Sequence, residues 1–387
     1  MVSELAKYDF GRTDVDAKGA AYQEIVHANL RGDRGQYFTP RGAIRLMVEM
    51  LDPQPNQRLM DPACGTGGFL VATIDHLNRR YHAEQQVELG DESTSDFLSI
   101  QAQLADYVRT NLYAADFDPF LVRAAQMNVV MATNAEARLF HMNSLEFPKG
   151  HLSGVKKAER DAKLETMDLV MTNPPFGADI PVTDPAILRN FDLAHVWERT
   201  GDGAYRNTGN LHGAVAPEIL FIERCLQWLK PGGRMGIVLP NGILSNAGDE
   251  YIRWWILRHA YVFASIDLPI ETFVVDANVN ILTSLLFLKK KTPDEMRRDD
   301  LKGDVDYPVF MAIAERVGHD RRGAPLYRRH PNGEIILEES TERESIRIGG
   351  QRVTRELRRR RPQLDDDLPL IALEFRRHAE SLEPTRG

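Results

Sequence analysis

The stretch Asp61-Pro62-Ala63-Cys64-Gly65-Thr66-Gly67-Gly68-Phe69-Leu70 sits where a short strand, Arg58-Leu59-Met60-Asp61, hands over to a helix predicted from Gly68 to about Arg80. Glycines at such a junction reach positive φ and let the backbone lie against a ligand. Alone, the turn would suit a dinucleotide or a phosphate equally well. Two features weigh against those ligands. The Gly-Lys-Ser/Thr ending of a phosphate loop is missing, and the Asp61 carboxylate repels a pyrophosphate but pairs with the ammonium group of an amino acid. Asp61, Ala63, Gly65, Thr66, Gly67, Gly68 and Phe69 are therefore candidate cofactor-binding residues.

A second acid closes the next predicted strand, Asn111 to Asp116, in Ala115-Asp116-Phe117-Asp118-Pro119. A carboxylate there accepts both hydroxyls of a ribose, and Phe117 is placed to cover an adenine ring. The spacing from Asp61 exceeds the ~20 residues of a compact βαβ unit, and the excess is assigned to an insertion over 82–110. The plain alternative is that Asp116 is a strand-end turn residue.

Downstream, a strand over Asp168–Thr172 stops at Asn173-Pro174-Pro175-Phe176. These residue types fit one chemistry. An exocyclic amine is a poor nucleophile because its lone pair is delocalised into the ring. The Asn173 side-chain oxygen accepts one N–H and the Pro174 carbonyl the other, which favours a pyramidal nitrogen with its lone pair aimed at a methyl group. The prolines stiffen φ, and Phe176 offers a face for an extruded base. No metal is implied. A strand-ending turn would explain Asn-Pro equally well; the position at the carboxyl end of a strand, downstream of a cofactor-type turn, raises the catalytic reading.

Outward from these blocks, strands and helices alternate, which predicts an open, mainly parallel sheet covered on both faces. Residues 14–31 read as a helix, 32–39 as a loop, and Pro40 suits the first turn of a helix ending near Leu51. A polar surface loop over 82–96 leads into a helix to about Thr110, and Pro119–Ala132 is a further helix. Residues 177–213 read as irregular, and a loop that long is functional or disordered. A helix over 214–229, a Pro-Gly-Gly turn and strands at Arg234–Leu239, Tyr261–Leu268 and Ile281–Leu288 follow. The expected division is a short helical N-terminal segment (1–34), a catalytic domain (35–290) and a charged tail (291–387) holding a small hairpin and a helix and contacting a partner.

The chain of 387 residues is 43% hydrophobic and 27% charged. It has no apolar run long enough to span a membrane and no secretion signal in its first residues. Its two cysteines, Cys64 and Cys225, form no disulfide framework or metal cluster, which fits a reducing cytoplasm. The net charge of −8 is unlike a protein that grips nucleic acid unaided. Either basic residues cluster locally or a partner supplies the grip.

Several blocks together resemble the gamma-type amino-methyltransferases, and specifically the modification subunits of type I restriction-modification systems. They are Gly35-Gln36-Tyr37-Phe38-Thr39-Pro40-Arg41, then the Asp61 turn, then Asn173–Phe176, Leu229–Arg234, Ile237-Val238-Leu239-Pro240-Asn241-Gly242, Ile266-Asp267-Leu268-Pro269 and Thr283–Leu288. The resemblance covers about residues 30–290. It implies a Rossmann-like sheet of seven strands with one antiparallel, S-adenosylmethionine as cofactor, and methylation of the N6 amine of a flipped-out adenine in double-stranded DNA. It implies that Tyr37, Phe38 and Thr39 close over the methionine end, that Asp61, Gly65 and Gly67 hold the methionine portion, and that Asp116 holds the ribose. It further implies a specificity subunit and a restriction subunit as partners. Three departures stand out. Asn143-Ser144 replaces the family's aspartate at the cofactor adenine, and Asn143 still accepts through its amide oxygen. Only some 35 residues precede the Tyr37 block, and no substantial target-recognition domain follows 290.

Weaker signals surround this core. The run Arg355, Arg358, Arg359, Arg360, Arg361 reads as a solvated helix end or as a contact with phosphates or a partner, and Asp365-Asp366-Asp367 as a helix start. His195 and His212 are expected bystanders, Cys64 a packing residue, and Trp254 and Trp255 parts of a core or interface helix. Competing readings are a stand-alone or phage-defence methylase and a catalytically silent cofactor-binding, DNA-clamping subunit. N4-cytosine or protein glutamine would suit the same acceptor geometry.

Overall fold

The computed structural model describes residues 39–87, 93–177, 180–277, 281–302, 306–348 and 351–379. The predicted helix over 14–31, and Tyr37 and Phe38, lie outside them. In chain order the strands are β1 (Leu59–Asp61), β2 (Leu112–Asp116), β3 (Arg138–His141), β4 (Met167–Thr172), β5 (His195–Arg199), β6 (Tyr205–Leu211), β7 (Leu229–Pro240), β8 (Ala260–Leu268), β9 (Thr283–Lys290), β10 (Phe310–Ile313), β11 (Leu337–Ile348) and β12 (Gln351–Pro362). The main helices are α1 (Arg41–Leu51), α2 (Gly68–Glu84), α3 (Thr94–Asn111), α4 (Pro119–Thr133), α5 (Val155–Asp161), α6 (Pro217–Trp228), α7 (Glu250–His259), α8 (Glu271–Ala277), α9 (Pro293–Lys302) and α10 (Leu368–His378).

Eight strands form one sheet in the order β10-β8-β9-β7-β4-β1-β2-β3. Only β9 is antiparallel to its neighbours, so the carboxyl ends of the other seven share one edge. The mostly parallel sheet with a single reversed strand matches the expectation, with one strand more than seven. The extra edge strand, β10, comes after residue 290 and pairs with β8.

Alternation along each strand sorts the core into two layers. Leu169 and Met171 face α1–α4 and α10, and Met167 and Val170 face α5–α7. Phe287 and Leu288 divide in the same way. Local signals set the helix ends. Ser93 and Asp96 form a capping box at α3. Asp118 caps Phe120 N at 2.7 Å with Pro119 in the first turn of α4. Asp366 accepts from Leu368 N at 2.9 Å where α10 begins, as the acidic cluster suggests.

Three readings need correction. Residues 177–213 are not irregular throughout: β5 and β6 form an antiparallel hairpin, fastened to α6 by Glu223, which accepts the Asp192 and Leu193 N–H groups at 3.0 Å each. The hairpin's polar, glycine-containing strands hid it from a pattern search, and its apolar side rests on Trp254, which packs against Trp197 and Tyr205 at centroid distances of 5.7 and 5.9 Å. The Pro231-Gly232-Gly233 segment bulges out of β7, where the ladder to β4 shifts register, instead of ending the preceding element. The arginine run lies in β12, not at a helix end: Arg360 and Arg361 stand opposite Glu339 and Glu338 of β11. Cross-strand charge pairing of this kind carries no helical periodicity to read. The strands β3 and β10 and helices α5 and α9 were not anticipated. Among the described residues, no helix is long and apolar enough to cross a membrane.

Candidate active site

The carboxyl edge of the sheet brings the sequence blocks together. Strand β1 lies between β2 and β4, with Asp61 level with Ala114 and Met60 level with Val170. Asn173 therefore stands two residues beyond the level of Asp61 on the adjacent strand, ~7 Å further along the strand direction.

The turn after β1 is held by backbone and side-chain bonds that only the fold supplies. Cys64 N donates to Ala115 O at 2.9 Å, and Gly65 N donates to the Asp116 carboxylate at 2.9 Å. Ser144 Oγ donates to Pro62 O at 2.6 Å, and Asn128 Nδ2 to Thr66 O at 2.9 Å. Gly65 and Gly67 take φ values of 54° and 84°, the left-handed region that disfavours side chains. A Cβ at Gly65 would meet nothing within 4 Å, so its exposed face is open space; one at Gly67 would press on Ala125 at 3.2 Å. Gly65 thus leaves room for a ligand, whereas Gly67 allows the turn to pack on α4.

Asp61 is 1% exposed. Its Oδ1 accepts from Ala63 N at 3.1 Å, and its Oδ2 is buried without a hydrogen-bond partner. Burial pushes the Asp61 carboxyl up to about 7, against the opposing pull of the neighbouring Thr172 hydroxyl and the Ala63 N–H, and the Asp116 carboxylate adds to the rise. One oxygen of the Asp61 carboxylate is thus bonded to Ala63 N while the other is buried with no hydrogen bond, at the head of a turn where Gly65 leaves open space; such an oxygen can take an ammonium group. Asp116 is also raised by burial, and both its oxygens are engaged, by Gly65 N and by Asp118 N at 2.9 Å. It shapes the turn whether or not it also takes a ribose.

The other candidates divide. Thr66, Phe69 and Ser144 are buried; Ser144 supports the turn, and Phe69 packs in the core. Ala63 and Gly68 are half-buried in the turn. Phe117 is 65% exposed just beyond the end of β2. Asn143 is committed locally, its oxygen accepting from Leu145 N at 3.1 Å and its nitrogen donating to Glu146 at 2.8 Å.

Asn173 Nδ2 donates to Thr39 Oγ1 at 3.0 Å, and Asn173 Oδ1 is buried without a partner. Thr39, which follows Tyr37 and Phe38 in the sequence, therefore reaches the Asn173 tetrapeptide. Pro174 is buried, Pro175 exposed, and Phe176 only 2% exposed within the core. In this conformation Phe176 braces the loop from beneath; a base would stack on it only after the ring turns outward. Gly177 N donates to Glu218 at 3.3 Å, and burial raises the Glu218 carboxyl. Sequence reading missed Glu218, whose only signal was an acid in the first turn of α6.

The sequence model of the N-6 DNA Methylase family matches residues 13–307. The chain is 26% identical over 296 residues to the methylase subunit of the EcoEI type I restriction enzyme of Escherichia coli, covering 76% of this chain and 50% of that protein. It is 26% identical over 290 residues to the EcoKI methylase subunit of Escherichia coli strain K12, covering 73% and 46%. The chain spans about half the length of these curated relatives. Among solved structures, a chain described as a modification subunit of a type I restriction enzyme from Vibrio vulnificus YJ016 superposes with a TM-score of 0.50 at 25% identity, covering 71% of this chain and 49% of that one. A chain described as a class I S-adenosylmethionine-dependent methyltransferase from Listeria monocytogenes superposes with a TM-score of 0.53 at 16% identity, covering 79% and 75%, a likeness of fold. On the extent of the family match, with the Asp61 turn and the Asn173 tetrapeptide on one sheet edge, this chain belongs to the N-6 DNA methylase family.

Proposed function

We propose that the chain methylates the exocyclic N6 amine of adenine in double-stranded DNA, with S-adenosylmethionine as methyl donor, as the modification subunit of a type I restriction-modification or related defence system. Partners on this reading are a specificity subunit and a restriction subunit, and the setting is the cytoplasm. The observation that carries it is the buried, unpartnered oxygen of Asn173, left as an acceptor while its nitrogen is bonded to Thr39.

The residues present fit the cofactor. Asp61 offers an orphaned carboxylate oxygen for its ammonium group, and Gly65 an open backbone face. On this reading Asp116 takes the cofactor's ribose hydroxyls in addition to the two backbone N–H groups it already holds, and Phe117 covers the cofactor's adenine. When bound, S-adenosylmethionine supplies an electrophilic methyl group. Asn173 Oδ1 accepts one N–H of the target amine and the Pro174 carbonyl the other, which localises the nitrogen lone pair toward the methyl. Pro175 keeps that carbonyl fixed, and Glu218, through Gly177 N–H, holds the loop behind it.

The test is to express the full chain in a methylation-deficient host, with and without the neighbouring specificity gene, and to sequence the genome for N6-methyladenine. Methylation at a defined motif in either case supports the reading. Its absence in both, with soluble protein that binds S-adenosylmethionine, overturns it.

A further inference from the structure

The paired strands β11 and β12 run in register from Leu337 opposite Pro362 to Ile348 opposite Gln351, twelve residues on each side. At about 3.3 Å per residue the ribbon is ~40 Å long. No third strand pairs with it among the described residues, and a lone two-stranded ribbon is marginally stable in water.

Its base is fixed to the carboxyl edge of the sheet. Just past β8, Glu271 of α8 holds Arg321 at 2.9 Å. Just past β10, the Glu315 and Arg316 N–H groups donate to Asp367 at 3.0 and 2.9 Å. Single bridges join Tyr327 to Leu364 and Arg329 to Ile335 below the ribbon. The base of the ribbon is thus anchored at the same carboxyl edge as Asp61 and Asn173, at the β8–β10 end, with β10 four strands from β4.

Its charge is opposite to that of the whole. β11 and β12 together hold eight arginines against five glutamates, a surplus of three positive charges in a chain of net charge −8. Arg358 to Arg361 are exposed, and because successive strand residues point to opposite faces, each face of the ribbon carries two of them. The ion pair of Arg360 with Glu339 at 2.8 Å is solvent-exposed on both sides, and such pairs contribute little to folding.

We infer that the β11–β12 ribbon is a duplex-DNA arm, with the two arginines on one face of the Arg358–Arg361 run laid on the phosphate backbone of a duplex that also meets the carboxyl edge of the sheet. A two-stranded ribbon fits a duplex groove, and ~40 Å matches about twelve base pairs at 3.4 Å each. Phosphate contacts of this sort position without reading sequence, and they place local basic charge on an acidic chain. The inference rests on the methyltransferase reading for its choice of polymer, and the ribbon lies outside the residues matched by the family model, which end at 307.

The experiment measures binding of the full chain to a fluorescent 30-base-pair duplex across a salt series, with S-adenosylmethionine affinity measured in parallel. Replacing Arg358, Arg359, Arg360 and Arg361 together by Gln should weaken duplex binding at least tenfold. It should also flatten the log–log salt slope by roughly 2, at ~0.9 for each phosphate that the two arginines of the DNA-facing side leave unneutralised. The matching four Arg→Lys replacements should keep the slope, and cofactor affinity should stay unchanged in both variants. Unchanged duplex affinity and slope in the Gln variant, or no duplex binding by the wild-type chain at low salt, overturns the inference while leaving the cofactor readout to judge the catalytic reading. Loss of a co-purified protein partner with duplex binding intact also overturns it, and assigns the ribbon to a protein interface.

Discussion

Asn173 is held by one end only: its Nδ2 group donates to Thr39 Oγ1 at 3.0 Å, while its Oδ1 is buried with no partner. A residue just ahead of α1 thus sets the orientation of an amide at the end of β4. This makes Thr39 a positioning residue. Thr39→Val should lower kcat about fivefold with S-adenosylmethionine affinity within about twofold, as expected for one lost neutral hydrogen bond of ~1 kcal/mol. Thr39→Ser should restore the rate. Steady-state kinetics with a cognate duplex separates this from a direct cofactor contact, which would instead show in the cofactor KM.

Asn173→Ala removes the acceptor itself. Loss of one preorganised hydrogen-bonding partner at a reacting centre costs roughly 10²–10³ in rate. Calorimetric titration of the variant should give a cofactor dissociation constant close to wild type. A large loss of cofactor affinity would contradict the division of labour between Asn173 and the Asp61 turn.

The Asp61 carboxyl, pushed up to about 7 by burial, predicts a pH dependence of cofactor binding. The ammonium of the ligand needs the carboxylate, so affinity should tighten as pH rises from 6 toward about 7.5. It should then level off or decline as the ligand's own amino group, with a pKa of about 7.7–8.0, loses its proton. For stability the sign is opposite. A carboxyl with a raised folded-state pKa stabilises the ligand-free fold fully below its ordinary value of 3.8, and that contribution is lost as pH rises through about 7. Asp61→Asn should therefore abolish the pH dependence of binding, weaken the cofactor, and raise ligand-free stability at pH 8 by roughly 1–3 kcal/mol. Denaturant melts at pH 5 and 8 provide the comparison, and a wild-type binding curve flat from pH 6 to 7.5 would count against the assignment.

The two strained glycines of the turn should respond differently. Gly67→Ala adds a Cβ 3.2 Å from Ala125 at a φ of 84°, and should destabilise the fold by about 1–3 kcal/mol. Gly65→Ala meets open space at a φ of 54°. It should cost only about 1 kcal/mol but reduce cofactor affinity, since the methyl group enters the space left for the ligand. Urea midpoints and cofactor titrations on both variants test the pair.

The legible parts were those with a local cause. The glycine turn, Pro119 after Asp118, and the apolar runs of β4 and β9 carry their conformation in neighbouring residues, and their boundaries fall within a few positions of expectation. The polar hairpin β5–β6 was not legible, because its stability comes from Trp254 on α7 and Glu223 on α6, far away in sequence. Strand β10 was missed for a similar reason: its four residues pair with β8, and Met311 and Ile313 are largely exposed, so neither length nor alternation marks them.

By itself the sequence determined the alternating α/β pattern, the turn at Asp61 and the presence of an Asn-Pro-Pro-Phe loop, because φ preferences and hydrophobic periodicity act over a few residues. The tertiary structure decided that Thr39 meets Asn173 across 134 positions, that Asp116 bonds Gly65 across 51, and that an arginine run becomes one side of a ribbon anchored at the same edge. Those outcomes depend on strand order and register, which are fixed only when non-local backbone pairing and core burial are satisfied together.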